Sequence, residues 1–535
     1  MYFDSRRSTV LSTNGMVATS QPLAAMAGLQ TLMDGGNAVD AAITAAATLG
    51  VVEPNSTGVG GDLFALVWNE KEKTVRAING SGRAPAASNI EELVSQGYRA
   101  MPGAGPYSVA VPGTVHGWET LRAECGTMPL SRLMEPAIRY AEEGFPVSEV
   151  IAWQWQNFLP KLRSYPSGEE MLLNGDSPKK GDVMRMPTLA ATMRAIADEG
   201  CDAFYRGPIA RKMASFVQEH GGWLTAEDLA AHNSDWDEPI TTDYRGVTCW
   251  ECPPNGQGIA ALEALNIAEG FDIAGMGAQT ADAYHHLIEA MRLAFADAYR
   301  YVADPRVVEV PTAQLLSKDY AAQRRSLISR GRAMTTAPYG RPYPENENRG
   351  GNTVYISVVD GQGNGCSFIN SIFSDFGSGM VVPGTGIILH NRAGLFSLDA
   401  AHPNALAPGK RPYHTIIPGL ATKDGELLYC YGMMGAFMQP QGHLQLISNM
   451  VDHGMDPQQA VNALRFMVGN DQVLLEEGIN PDTARELQSR GHKLGLMAGR
   501  SRVSIGGAQV ISRDPQTGVL QGGTEPRKDG AVVGW

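Results

Sequence analysis

Thr353 has the setting in this 535-residue sequence that most invites chemistry. Asn352 precedes it, and Gly350-Gly351 before that permit backbone that other residues resist. If the 352–353 peptide bond were cut, Thr353 would hold a hydroxyl nucleophile and an α-amine of intrinsic pKa about 7.7 to 8 on one residue. Such a threonine carries its own general base. The plain alternative is a threonine that merely opens a strand, which strand propensity alone would explain.

Competing chemistries lack their signatures. The sequence has no GxSxG nucleophile elbow, no GxxxxGK[ST] phosphate loop and no HExxH zinc site, and Gly58, Gly60 and Gly61 miss the GxGxxG spacing. Cys249 and Cys252 have metal-knuckle spacing, but no second pair completes four ligands, and three residues apart on a strand they face opposite sides. His285-His286 are adjacent on an expected helix, about 100° apart, and so cannot share a metal as i, i+4 pairs do. Both pairs read as structural, and no cofactor or metal is expected.

The elements that would position Thr353 can be read from pattern. Pro22 opens a helix with Leu23, Met26, Leu29 and Met33 on one face, stopped by Gly35-Gly36. Asn37 can cap a second, alanine-rich helix from Ala38 to about Ala47, suited to close packing on a sheet. A glycine-rich turn and the strand-like LFALVW follow. Leu287, Met291, Ala294, Phe295, Ala298 and Val302 keep the spacing of a long core helix ending at Asp304-Pro305. The segment 330–352 has little that a core could use and reads as an exposed, mobile loop. After it, 353–359 is β-branched and aromatic, 360–364 is a turn, and CSFINSIF reads as the returning strand. A threonine thus opens a β-hairpin at the end of a loop.

Composition narrows the class. At roughly 150 residues per domain the length allows three or four domains, but strand and helix patterns mix throughout, which favours one layered architecture. The 43% hydrophobic and 19% charged content is that of an ordinary soluble protein. A net charge of −13 opposes nucleic-acid binding and attraction to anionic lipid. No stretch is long enough for a secretory core or a membrane span, and six cysteines in so long a chain read as reduced thiols. A cytoplasmic enzyme is expected, with no nucleic-acid or membrane partner.

The blocks DGGNAVDAAITAAATLGVVEPNSTGVGGDLF, VPG at 111–113, GGNTVYISVVD, FGSGMVVPGTGIIL, GKRPYHTIIP and EPRKDG closely resemble γ-glutamyltransferases over nearly the whole chain. The resemblance implies an α+β fold, the four-layered αββα sandwich of N-terminal nucleophile (Ntn) hydrolases. It also implies a precursor that cleaves itself between Asn352 and Thr353 into a large chain, 1–352, and a small catalytic chain, 353–535, intertwined in one globule. Thr353 would then attack an amide carbonyl, pass its proton to its own amine and form an acyl-enzyme released to water or an amine. The family's oxyanion-holding glycines fall on Gly435 and Ala436, where alanine keeps the N–H but tolerates φ > 0 poorly. Ser371 matches a threonine that supports the nucleophile.

The residues that grip a γ-glutamyl group in the family are replaced. Its arginine falls on Tyr107, its asparagine on Phe373 and its aspartate on Leu395; Arg392 replaces a glutamine or glutamate, and His414-Thr415 replace two serines. Ser371 and Phe373, two apart on an expected strand, would share a face and make the pocket aromatic. Arg392 either grips a carboxylate or is a surface or salt-bridged arginine; His414 either touches substrate or only packs. The substrate is a small-molecule amide: γ-glutamyl amides such as glutathione by family default, or another acyl amide, since relatives with altered clamps include small oxo-amide amidohydrolases and cephalosporin acylases. A homodimer of the processed unit is compatible with this reading. A non-catalytic binding protein of the same fold is the alternative of another class.

Overall fold

The computed structural model describes residues 7–338, 353–469 and 471–535. Asn352, Gly350, Gly351 and most of the expected loop therefore lie outside the described residues.

Two seven-stranded antiparallel sheets lie face to face. In the first, β1 (Gly15–Thr19), β2 (Asp62–Asn69), β3 (Val354–Asp360) and β4 (Gly365–Ser371) form the centre in the order β1-β3-β4-β2. Ala531–Gly534 extends this sheet beyond β1; Thr74–Gly80 and then Asp235–Asp237 extend it beyond β2. The second contains β5 (Pro418–Lys423), β6 (Glu426–Met434), β7 (Gly507–Arg513) and β8 (Leu520–Thr524), in the order β8-β7-β6-β5. Val10–Ser12 pairs with β8 at one edge, and Val247–Glu251 then Ile240–Tyr244 complete the other.

Helices cover both outer faces. α1 (Pro22–Met33) and α2 (Ala38–Val52) pack on the first sheet; α3 (Gly258–Ala268), α4 (Ala281–Tyr301) and α5 (Met438–Val451) cover the second. The result is the four-layered αββα sandwich.

Strands buried on both faces explain the nearly unbroken apolar runs in the sequence. Along β3, Val354, Ile356 and Val358 face α2, while Tyr355 and Val359 join Phe64, Ile369, Leu420 and Cys430 between the sheets. Thr353, two residues before Tyr355, lies on the inter-sheet side by the same alternation. Sheet neighbours come from both sides of the 352–353 bond, since β1 pairs with β3 and β2 with β4.

Several local expectations change. In α1 the buried positions are Ala24, Ala25, Ala27, Gly28, Leu29, Thr31 and Leu32, whereas Met26 and Met33 are 51% and 49% exposed. Small residues face the neighbouring helix and strand because α1 lies close: a Cβ on Gly28 would be 3.1 Å from the Ala41 carbonyl oxygen. α2 runs on to Val52, with Asn37 and Asp40 forming a reciprocal capping box. The hairpin register pairs Val354 with Asn370 and Val359 with Gly365. β4 stops at Ser371, however, so Phe373 is not on the strand.

The start of the expected loop is anchored. The Met334 N–H donates to Glu289 at 2.7 Å, Arg292 donates to the Met334 carbonyl at 2.7 Å, and Met334 packs on the core. His285 sits 2.8 Å from His492, and His286 bonds the Asp282 carbonyl at 2.7 Å, so both serve packing and helix ends. The six cysteines are unpaired, with Cys249 and Cys252 in different apolar layers.

Candidate active site

Thr353 is 1% exposed, and its Oγ1 lies 3.1 Å from the Ser371 hydroxyl. The Phe373 N–H donates to that same serine oxygen at 2.8 Å. The glycine turn before β2 makes the arrangement tight. A Cβ on Gly61 would lie 2.3 Å from the Ser371 carbonyl oxygen, and one on Gly60 2.2 Å from that of Ile388. Only glycine admits both approaches. The 111–113 turn joins in, with the Gly113 N–H donating to the Gly61 carbonyl at 2.8 Å.

The second sheet brings the candidate oxyanion donors. Across the inter-sheet layer, Ser357 Oγ donates to the Cys430 carbonyl at 2.9 Å, and a Cβ on Gly432 would meet the Tyr355 ring at 2.5 Å. Two more residues along each strand lead to Thr353 and to Met434, beside Gly435-Ala436. Gly435 has φ 125° and Ala436 φ 51°, so alanine accepts the left-handed conformation that the sequence disfavours. That costs about 1–2 kcal/mol. Gln257 clamps this turn: its Nε2 donates to the Ala436 carbonyl at 3.0 Å and the Thr415 carbonyl at 2.7 Å, and its Oε1 accepts from the Tyr413 hydroxyl at 3.1 Å. The Gly435 and Ala436 N–H groups donate to no described residue.

Beside these groups, Phe373, Leu395 and Ala436 form a buried apolar cluster with Phe437 against it. Phe373 holds φ 75°, the backbone turn that carries it off β4 and toward Ala436. Arg392 is wholly buried, which rules out the surface reading. Its guanidinium lies 4.6 Å from the Phe373 ring centroid and makes two parallel bonds, both 3.1 Å, to Asp62. Nη1 donates to Thr415 Oγ1 at 2.7 Å.

His414 Nε2 lies 2.8 Å from Asp62 Oδ2, and its Nδ1 accepts from the Ile416 N–H at 3.3 Å. This assigns the neutral Nε2–H tautomer. Burial, then Arg392, pushes the His414 pKa down to about 4. Burial alone would raise the Asp62 carboxyl, but Arg392 and His414 hold it well below the usual carboxylate range. The cluster at pH 7 is therefore a buried Asp62–Arg392 ion pair with a neutral imidazole on it.

A sequence model described as gamma-glutamyltranspeptidase matches residues 24–535. The chain belongs to the γ-glutamyltranspeptidase family. Among relatives of this family, "Glutathione hydrolase-like YwrD proenzyme" of Bacillus subtilis is 36% identical over 98% of this chain and 99% of its own length. "Oxamate amidohydrolase proenzyme" of Klebsiella pneumoniae is also 36% identical, over 99% of this chain and 100% of its own. A solved structure, cephalosporin acylase from Bacillus halodurans, is 46% identical with a TM-score of 0.93, covering 100% of this chain and 98% of that one. The chain is an enzyme of this hydrolase and acyltransferase class, with the Ntn hydrolase fold.

Within this family member the structure gathers Thr353, Ser371, Phe373, Gly435, Ala436, Arg392, His414 and Thr415 through a continuous set of contacts. Tyr107 lies on the Pro106–Ser108 turn, which packs against the Arg392–Leu395 turn, and its side chain has other partners. It packs on Trp223 with ring centroids 4.7 Å apart, and its hydroxyl is held by Glu92 at 3.1 Å and Gln96 at 3.0 Å. Asp62 and Gln257 escaped the sequence reading. The signal for Asp62 was a carboxylate heading the apolar run LFALVW, where a buried cation must answer it. Among the described residues, no group of three or more His, Cys, Asp or Glu gathers as a metal site, and no helix is long and apolar enough to cross a membrane.

Proposed function

We infer that this γ-glutamyltranspeptidase relative is a self-processing amidohydrolase whose acyl pocket takes a neutral, apolar or oxo-bearing acyl group in preference to a γ-glutamyl group. Cleavage between Asn352 and Thr353 yields chains 1–352 and 353–535 and frees the Thr353 amine. Thr353 Oγ1, oriented by Ser371, attacks the amide carbonyl, and its proton passes to the amine and on to the leaving nitrogen. The N–H groups of Gly435 and Ala436 stabilise the oxyanion. The acyl-enzyme then goes to water or to an acceptor amine. Six unpaired cysteines favour a reducing compartment, as in a cytoplasmic enzyme.

One observation carries the acyl preference: the wall beside the nucleophile is Phe373, Leu395, Ala436 and Phe437, and the nearby cation is already neutralised by Asp62. A zwitterionic α-amino acid head would enter without its own partners. The relatives named as cephalosporin acylase and oxamate amidohydrolase support an acyl group other than γ-glutamyl, without bearing on its charge. The γ-glutamyl reading stands second, carried by the family match and the glutathione hydrolase relatives.

Hydrolysis of phenylacetyl and γ-glutamyl p-nitroanilides by the processed enzyme tests the preference. The neutral acyl group should be favoured at least about fivefold in kcat/KM, from the 1–3 kcal/mol that an unpartnered buried polar group costs. Faster turnover of the γ-glutamyl anilide would contradict it.

A further inference from the structure

We propose that Asp62 is a specificity-determining positioning residue: its carboxylate occupies, from within the protein, the anion place beside the acyl pocket and thereby excludes acyl groups that carry a carboxylate. The proposal rests on the neutral-acyl reading above and assigns that preference to one side chain.

The geometry around Asp62 is that of a filled carboxylate site. Arg392 presents its Nε and Nη2 edge to the two oxygens in the parallel fork that guanidinium groups use for carboxylates. His414 adds its Nε2–H at 2.8 Å, and Thr415 braces Arg392 from the other side. All four side chains are fully buried. An unanswered guanidinium there would be costly, so the cation requires an anion. Asp62 supplies it permanently, as the first residue of β2 fixed by the Gly60-Gly61 turn.

A substrate carboxylate arriving beside Phe373 would find the guanidinium fork already taken by Asp62 and would lose its water without gaining an unpaired cation. Removing the Asp62 carboxylate changes this. It leaves a fork of donors and an imidazole N–H converging on a carboxylate-sized space one ring from the pocket.

Asp62→Ala provides the test, with wild type, phenylacetyl and succinyl p-nitroanilides, and sodium acetate against sodium chloride. The variant should gain succinyl anilide hydrolysis at least about tenfold in kcat/KM over wild type and lose phenylacetyl anilide turnover. Acetate, filling the vacated place, should inhibit the gained activity competitively and restore the lost one; chloride should do neither. A purely structural Asp62 would give no gained activity, or an acetate effect of the same sign on both substrates, and either outcome overturns the proposal.

If the variant is too unstable for kinetics, it can be prepared in acetate and its Tm titrated with that anion. Tm should rise for Asp62→Ala and stay flat for Asp62→Ala/Arg392→Met; no rise in the single variant also overturns the proposal. The wild-type rates separate the two claims, because a wild type that prefers the γ-glutamyl anilide defeats the neutral-acyl reading whatever Asp62→Ala does.

Discussion

His414 illustrates how a single side chain can report on the site. Burial and the Arg392 charge lower its pKa from the ordinary value of an unfolded chain, about 6.5, to about 4. Between those values the unfolded chain binds a proton that the folded one refuses. The stabilisation is thus complete above the unfolded pKa and is lost as pH falls toward the folded one, an effect of about 3 kcal/mol. His414→Gln can still donate to Asp62 but does not titrate, so urea unfolding from pH 7 to 4 should show that much less acid loss than in wild type. Equal pH slopes would contradict the assignment. At this scale Thr353 stood out by its own setting, whereas Ser371 and the replaced clamp positions were named only through the family resemblance. Asp62 was not legible, since its meaning comes from Arg392, 330 positions away.

The glycine turn ahead of β2 couples two elements that the sequence leaves far apart. Gly61 lies against the Ser371 carbonyl, where a backbone atom cannot step aside, while nothing lies within 4 Å of a Cβ on Gly58. Gly61→Ala should therefore lower stability by about 1–3 kcal/mol through overpacking and slow chain cleavage by displacing Ser371. Gly58→Ala should behave like wild type. Thermal unfolding together with the fraction cleaved on a denaturing gel checks both; equal behaviour of the two variants would contradict the account. Elements with local start signals were legible, such as α2 from Asn37 and Asp40, and the 354–371 hairpin from its turn. The end of β4 was not, because the positive φ of Phe373 answers contacts with Ala436 and Arg392 rather than strand propensity.

Over the whole molecule, the neighbours of β3 and β4 in one sheet come from the other side of the 352–353 bond. The expected two chains would share a sheet and stay together after cleavage. Layering was legible from the mixture of strand and helix patterns, and the family resemblance supplied its αββα form. Strand order was not legible, since it depends on pairings hundreds of residues apart. The most direct test of the central claim, that Thr353 becomes an N-terminal nucleophile, is the denatured intact mass of purified wild type beside Thr353→Ala. The account predicts two wild-type chains meeting between Asn352 and Thr353, and a single uncut chain in the variant. An uncut wild type that nonetheless hydrolyses amides, or a Thr353→Ala variant cut at the same bond, would contradict it.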